Sequence, residues 1–157
     1  MMSARQIYLS GQMVPESEAK ISIFDSAVML GDTVTESTRT FRHQPFKLER
    51  HIDRLYKSLK VTRIDPGHSP EEMLQISLDV LEANLPGLEP HEDCWLVHNI
   101  SRGLSVAGAD PTRQVSPATV MIFTSYMDLR DWAGYYSTGC HAVTAMSRAV
   151  PSQALDP

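Results

Sequence analysis

The sequence predicts an α+β fold. Strand-length apolar segments lie toward both ends of the chain. Two helical segments stand together in the middle, and strands do not alternate regularly with helices. A length of 157 residues allows one domain, or one domain and the beginning of another.

Taken in order, Ile7-Tyr8-Leu9 and Met13-Val14 read as a strand hairpin about a turn at Ser10-Gly11-Gln12. Ala19 to Phe24 alternates and is expected to be extended. Asp25-Ser26 either caps a short helical turn or opens a loop. Gly31-Asp32 precedes a threonine-rich strand, Thr33 to Phe41. Glu49 to Val61 is predicted helical, because Ile52, Leu55, Tyr56 and Leu59 form one apolar stripe. Ser69-Pro70-Glu71-Glu72 is a capping box with proline at the first helical position. The helix it opens is expected to bury Leu74, Leu78, Leu81 and Leu85 and to end at Pro86-Gly87. Cys94–Ser101 reads as a strand, Ala118–Phe123 as a fully buried one, and Cys140–Ser147 as another. A polar-aromatic connector, Tyr126 to Thr138, separates the last two. A connector and a lone strand finish a domain poorly, so the intact protein is expected to continue past Pro157.

Composition narrows the function classes. Hydrophobic residues make up 42% and charged residues 21%, which excludes a disordered tail. Two cysteines, Cys94 and Cys140, exclude a disulfide-built mini-protein. No apolar stretch is long enough to span a bilayer, and the N-terminus lacks a signal-peptide core, so a cytoplasmic protein is expected. A net charge of −5 gives no electrostatic reason to expect a nucleic-acid partner. There is no phosphate-binding glycine loop, no zinc spacing and no nucleophile elbow, so no metal is expected. The histidines at 43, 51, 68, 91, 98 and 141 are scattered. Arg54, Arg39 and Arg102 each offer a planar fork of donors suited to a phosphate or carboxylate, though from the residues alone Arg54 reads first as part of a solvated helix face beside Glu49, Asp53 and Lys57. Lysine occurs at 20, 47, 57 and 60 and nowhere afterwards.

Six segments, in order, resemble the N-terminal half of the class IV, or fold-type IV, pyridoxal-phosphate aminotransferases. Tyr8-Leu9-Ser10-Gly11-Gln12-Met13-Val14-Pro15 resembles the opening hairpin of that family. Ala19-Lys20-Ile21-Ser22-Ile23-Phe24-Asp25 resembles A-K-I-S-V-x-D, and Gly31-Asp32-Thr33-Val34-Thr35-Glu36 resembles G-D-G-V-F-E. Phe46 to Leu55 resembles F-x-L-x-x-H-x-x-R-L, and Ser101-Arg102-Gly103 resembles T-R-G. Arg148-Ala149-Val150-Pro151 with Ala154-Leu155-Asp156-Pro157 resembles R-R-x-P-x-x-x-x-D-P.

The resemblance implies a small N-terminal α/β domain over residues 1–124, an interdomain connector over 125–137 and the start of a large domain over 138–157. It implies pyridoxal 5′-phosphate as cofactor and Arg54 as a contact to its phosphate. Substrate-pocket positions fall on Leu30, Thr35, Arg39, Trp95 and Val97, and Arg39 has a structural ion pair, with Glu36 or at a domain contact, as its alternative. The Schiff-base lysine of the family follows the D-P segment, so it is expected just beyond Pro157, and none of the lysines present stands in its place. Small-molecule partners, an amino donor and a 2-oxo acid, and a homodimer are implied as well. Branched-chain, D-amino acid and (R)-amine transaminases all stay open as substrate classes. An aminodeoxychorismate-lyase-like enzyme and a non-catalytic stand-alone domain are the alternatives.

Overall fold

The structure is a computed structural model that describes residues 5–144 except 107 and 111. Its chain divides into two compact units, one running to Met127 and one beginning at Asp128. In the first unit, β1 (Gln6–Leu9), β2 (Gln12–Pro15), β3 (Thr33–Phe41), β4 (Gln44–Pro45), β5 (Cys94–Ser101) and β6 (Thr119–Tyr126) form a sheet in the order β2-β1-β6-β5-β3-β4. Every neighbouring pair is antiparallel. Among the described residues three α-helices accompany it: α1 (Ser26–Leu30), α2 (Leu48–Thr62) and α3 (Pro70–Asn84). Among its described residues the second unit holds two short turns of helix, α4 (Arg130–Ala133) and α5 (Tyr135–Thr138). No described helix is long and apolar enough to cross a membrane.

Strand alternation divides the sheet into two unlike faces. On one face α2 packs on β3, and α3 on β6 and β1, with Leu55, Met73, Val80, Leu96, Ile100 and Ile122 fully buried between them. The other face is half-exposed along β3, β5 and β6. The run at 118–123 is therefore not sealed on both sides. Val120 and Ile122 are buried, while Met121 and Phe123 lie on the half-exposed face.

The hairpin at the N-terminus forms as its sequence predicts, with Ser10 and Gly11 both at positive φ. The β3–β4 turn uses Arg42 and His43 in the same left-handed region, the geometry a tight hairpin between twisted strands demands. Ala19 to Phe24, in contrast, is not a strand. It runs beside the loop after β5, where Ser105 N–H donates to the Phe24 carbonyl, and only Asp25 makes a bridge, to Leu104. With no strand alongside, an alternating pattern has no ladder to join. Asp25 instead caps α1, accepting from Ala27 N–H at 2.9 Å and from the Thr119 hydroxyl at 2.5 Å. Gly103 is required nearby. Its φ is +89°, and a Cβ there would collide with the Pro117 carbonyl and the Ser116 hydroxyl.

Helix α2 buries Leu48, Ile52, Leu55 and Leu59, with Tyr56 half-buried at the stripe's edge. Helix α3 opens on the expected capping box, where Ser69 accepts from Glu72 N–H and Glu72 accepts from Ser69 N–H. Replacing Ser69 with alanine is expected to cost about 1 kcal/mol, read as a lower urea midpoint at unchanged slope. The buried face of α3 differs from the leucine stripe. Met73, Ser77, Val80 and Leu81 point inward, and Leu78 is exposed. A serine sits in the stripe because the sheet offers it a polar partner, His98, so counting apolar residues alone misplaces the face. At the end of α3, Asn84 exchanges two hydrogen bonds of 2.8 Å with the Gln6 backbone. These bonds extend the attachment of β1, whose ladder with β6 covers only Tyr8 and Leu9.

The strand expected at Cys140–Ser147 is absent over its described part, 140–144, which has no ladder partner among the described residues. Residues 145–147 and the segments beginning at Arg148 and Ala154 lie outside the described residues.

Candidate active site

Four of the five pocket residues expected from the sequence lie together. Thr35, Arg39, Trp95 and Val97 all belong to the half-exposed face of β3 and β5. The register arranges that face in rows: Thr35 beside Asn99 and Met121, Ser37 beside Val97 and Phe123, Arg39 beside Trp95 and Ser125. Residues in register on antiparallel strands share a face, so these rows form one continuous wall. Its middle is apolar and its β3 side is polar, where the Thr35 hydroxyl donates to Asn99 Oδ1 at 2.8 Å. Ser37, Asn99, Met121 and Phe123 are additions that the sequence reading does not contain. Period-two counting outward from Thr35 and Val97 finds Ser37 and Asn99, and the register adds the two on β6.

Leu30 stands apart. It ends α1, is 58% exposed, and lines a crevice of about 40 Å³ with Ser26, Leu104 and Val106. A larger cavity of about 470 Å³ is lined by Arg5, Glu16, Asn84, Glu92, Cys94 and Thr124 among others. Cys94 and Thr124 belong to the helix-covered face, so this cavity is not part of the wall.

Arg39 does not pair with Glu36. The two are three residues apart on one strand and therefore point to opposite faces. Arg39 stacks over the Phe41 ring at 3.9 Å, donates from Nε to the Thr40 carbonyl at 3.1 Å, and approaches Asp93 at 3.9 Å. Arg102 is structural. Nε and Nη2 donate to Asp32 at 2.6 and 3.2 Å, Nη2 donates also to the Thr62 carbonyl at 2.9 Å, and Nη1 to the carbonyls of Arg63 and Thr112. All of its donors are committed, and they close the C-terminal end of α2.

Arg54 projects from α2 with 68% of its side chain exposed, while the carboxylate that holds it, Glu36, is 4% exposed. Nε donates to Glu36 Oε2 and Nη2 to Oε1, both at 2.6 Å. His51 Nδ1 lies 2.8 Å from the same Oε1, and Ser37 N–H donates to it at 2.9 Å. Burial works against the Glu36 charge. The hydrogen bonds from Arg54, His51 and Ser37 outweigh it and hold the carboxyl at about 2. Beside Glu36 in register stands His98, fully buried. The Ser77 hydroxyl lies 2.6 Å from the Met73 carbonyl and shares a hydrogen bond of 2.7 Å with His98 Nε2. Burial holds this imidazole neutral, lowering its pKa to about 4. Among the described residues no group of three or more histidine, cysteine or acidic side chains could hold a metal ion.

Residues 33–155 match the model of the family described as amino-transferase class IV. The chain belongs to the class IV aminotransferases. A putative branched-chain-amino-acid aminotransferase of Methanocaldococcus jannaschii is 34% identical to this class IV chain over 152 residues, 97% of the chain and 49% of the relative. A D-alanine aminotransferase of Staphylococcus aureus is 29% identical over 77% of the chain and 42% of its own length. Among solved structures, the branched-chain amino acid aminotransferase of Escherichia coli superposes with a TM-score of 0.67 at 25% identity, covering 78% of this chain and 41% of that one. Another branched-chain amino acid aminotransferase, solved with pyridoxamine 5′-phosphate, superposes with a TM-score of 0.66 at 30% identity and comparable coverage. The chain thus spans about half the length of the curated relatives it matches, and what it matches is their N-terminal portion. The α+β architecture is that of the fold-type IV aminotransferases.

Proposed function

We propose that the intact protein is a pyridoxal-phosphate-dependent transaminase. It moves an amino group between an amine or amino acid with an apolar side chain and a 2-oxo acid. The observation that carries this reading is the pairing on β3 of a substrate wall and an anion anchor. Thr35 faces the open side of the sheet, and the next residue, Glu36, fixes Arg54 from the covered side.

The donor set suits a phosphate monoester. Arg54 is a permanently charged, planar group held by one fork of donors, with a second edge, Nη1 and Nη2, turned away from Glu36. When bound, the cofactor supplies the electron sink that amino-group transfer needs. Residues of this chain contribute position. Arg54 holds the phosphate end, Val97, Trp95, Met121 and Phe123 offer apolar surface to a donor side chain, and Thr35 with Asn99 offers a polar border. In this reading residues 1–124 are the small domain, 125–137 the connector and 138–157 the start of the large domain. The Schiff-base lysine follows Pro157, and the enzyme works as a cytoplasmic homodimer.

The test is a panel assay of the intact protein, supplied with pyridoxal 5′-phosphate and a 2-oxo acid. L-leucine, D-alanine and (R)-1-phenylethylamine serve as donors. Formation of the new amino acid that depends on both donor and acceptor is expected. Pyruvate release from 4-amino-4-deoxychorismate without an acceptor would instead assign a lyase.

A further inference from the structure

We infer that Glu36 is a positioning residue for cofactor binding: it sets the plane of the Arg54 guanidinium so that its outer edge meets the phosphate. This rests on the proposed contact between Arg54 and the phosphate. Glu36 itself touches neither cofactor nor substrate and acts only through Arg54.

Three features support the assignment. First, the carboxylate engages the Nε–Nη2 fork with two bonds of 2.6 Å, which fixes orientation as well as distance. A guanidinium so held turns its Nη1–Nη2 edge away from the carboxylate by covalent geometry alone. Second, the carboxylate is itself fixed. His51 Nδ1 and Ser37 N–H both hold Oε1, and the side chain is buried on a central strand under α2. A long side chain that is 68% exposed would otherwise lose rotamer freedom each time it bound an anion. Third, Glu36 is the immediate neighbour of Thr35, so one strand carries both the wall and the anchor's brace. An opposing effect exists, since the Glu36 charge repels a phosphate. The guanidinium stands between the two, and the anchor's orientation is expected to outweigh that repulsion.

The experiment compares pyridoxamine 5′-phosphate with pyridoxamine, the same ring without the phosphate. Their affinities are measured by calorimetry on the intact protein stripped of cofactor. Four proteins are used: wild type, Glu36→Gln, Arg54→Ala and the double variant. Glu36→Gln is expected to weaken the phosphate ester by about tenfold or more and to leave pyridoxamine unchanged. Arg54→Ala is expected to weaken the ester at least as much, with no further loss in the double variant. Equal loss of both ligands in Glu36→Gln, or no loss, or tighter binding of the ester, would overturn the inference while leaving the Arg54 contact standing. Unchanged ester affinity in Arg54→Ala would remove the contact itself, and the inference with it. Should Glu36→Gln not fold, Glu36→Asp keeps the charge on a shorter arm. It is expected to weaken the ester selectively, and unchanged ester affinity there would count against the brace.

Discussion

Replacing Arg102 with alanine is expected to destabilise the fold by about 3 kcal/mol, the largest effect of any single arginine here. Its guanidinium is nearly buried and makes five hydrogen bonds, two to Asp32 and three to the carbonyls of Thr62, Arg63 and Thr112. Removing it leaves Asp32 without its counter-charge. It also takes their side-chain donor from the carbonyls of Thr62 and Arg63 at the end of α2. Arg102→Lys is expected to recover little, because a single ammonium cannot reach a carboxylate and three diverging carbonyls. Urea unfolding checks this: the midpoint falls in both variants, and the slope stays unchanged if the compact states are the same. Catalysis in a folded Arg102 variant is expected to survive at low temperature, since this arginine has no donor left for a substrate.

Acidification is expected to destabilise the protein in two overlapping steps. His98 has an ordinary value of 6.5 and is held at about 4 in the fold. The unfolded chain therefore binds the extra proton first, and stability falls as pH drops from about 6.5 toward 4. Glu36 has an ordinary value of 4.5 and is held at about 2. Its contribution is complete above pH 4.5 and is lost as pH falls toward 2. Each step is worth roughly 3 kcal/mol at most, which together is a large part of the stability of a small domain. Stability curves at a series of pH values check the assignment. Exchanging His98 for a neutral side chain that still reaches Ser77, such as glutamine, is expected to remove the upper step. Glu36→Gln removes the lower one. A wild-type curve that stays flat from about pH 7 to about pH 5 would contradict the neutral, buried state of His98.

The sequence is most legible where one rule acts alone. The Gly-containing hairpin, the capping box at Ser69 and the apolar stripe of α2 all form as expected, because turn chemistry, cap chemistry and helix period are local. It misleads where a distant partner decides. Ser77 faces inward on account of His98, and Ala19 to Phe24 alternates without a strand to pair with. The wall is half legible. Thr35, Arg39, Trp95 and Val97 come from a family resemblance, and their common face follows from even spacing along β3 and β5. Their neighbours on β6 require the register, which no local pattern encodes. The separation of Arg39 from Glu36 is legible in principle, because an odd spacing on a strand always means opposite faces. The bracing of Arg54 by Glu36 joins a strand to a helix and emerges only in three dimensions.

The most direct test of the central claim is a crystal structure of the intact protein with pyridoxamine 5′-phosphate and a branched 2-oxo acid. The phosphate is expected on the Nη1–Nη2 edge of Arg54, with Glu36 still on the Nε–Nη2 fork. The acid's side chain is expected against Val97 and Thr35 on the open face of the sheet. An acid side chain seated instead in the cavity beside Cys94 and Asn84, or a phosphate remote from Arg54, would contradict that claim.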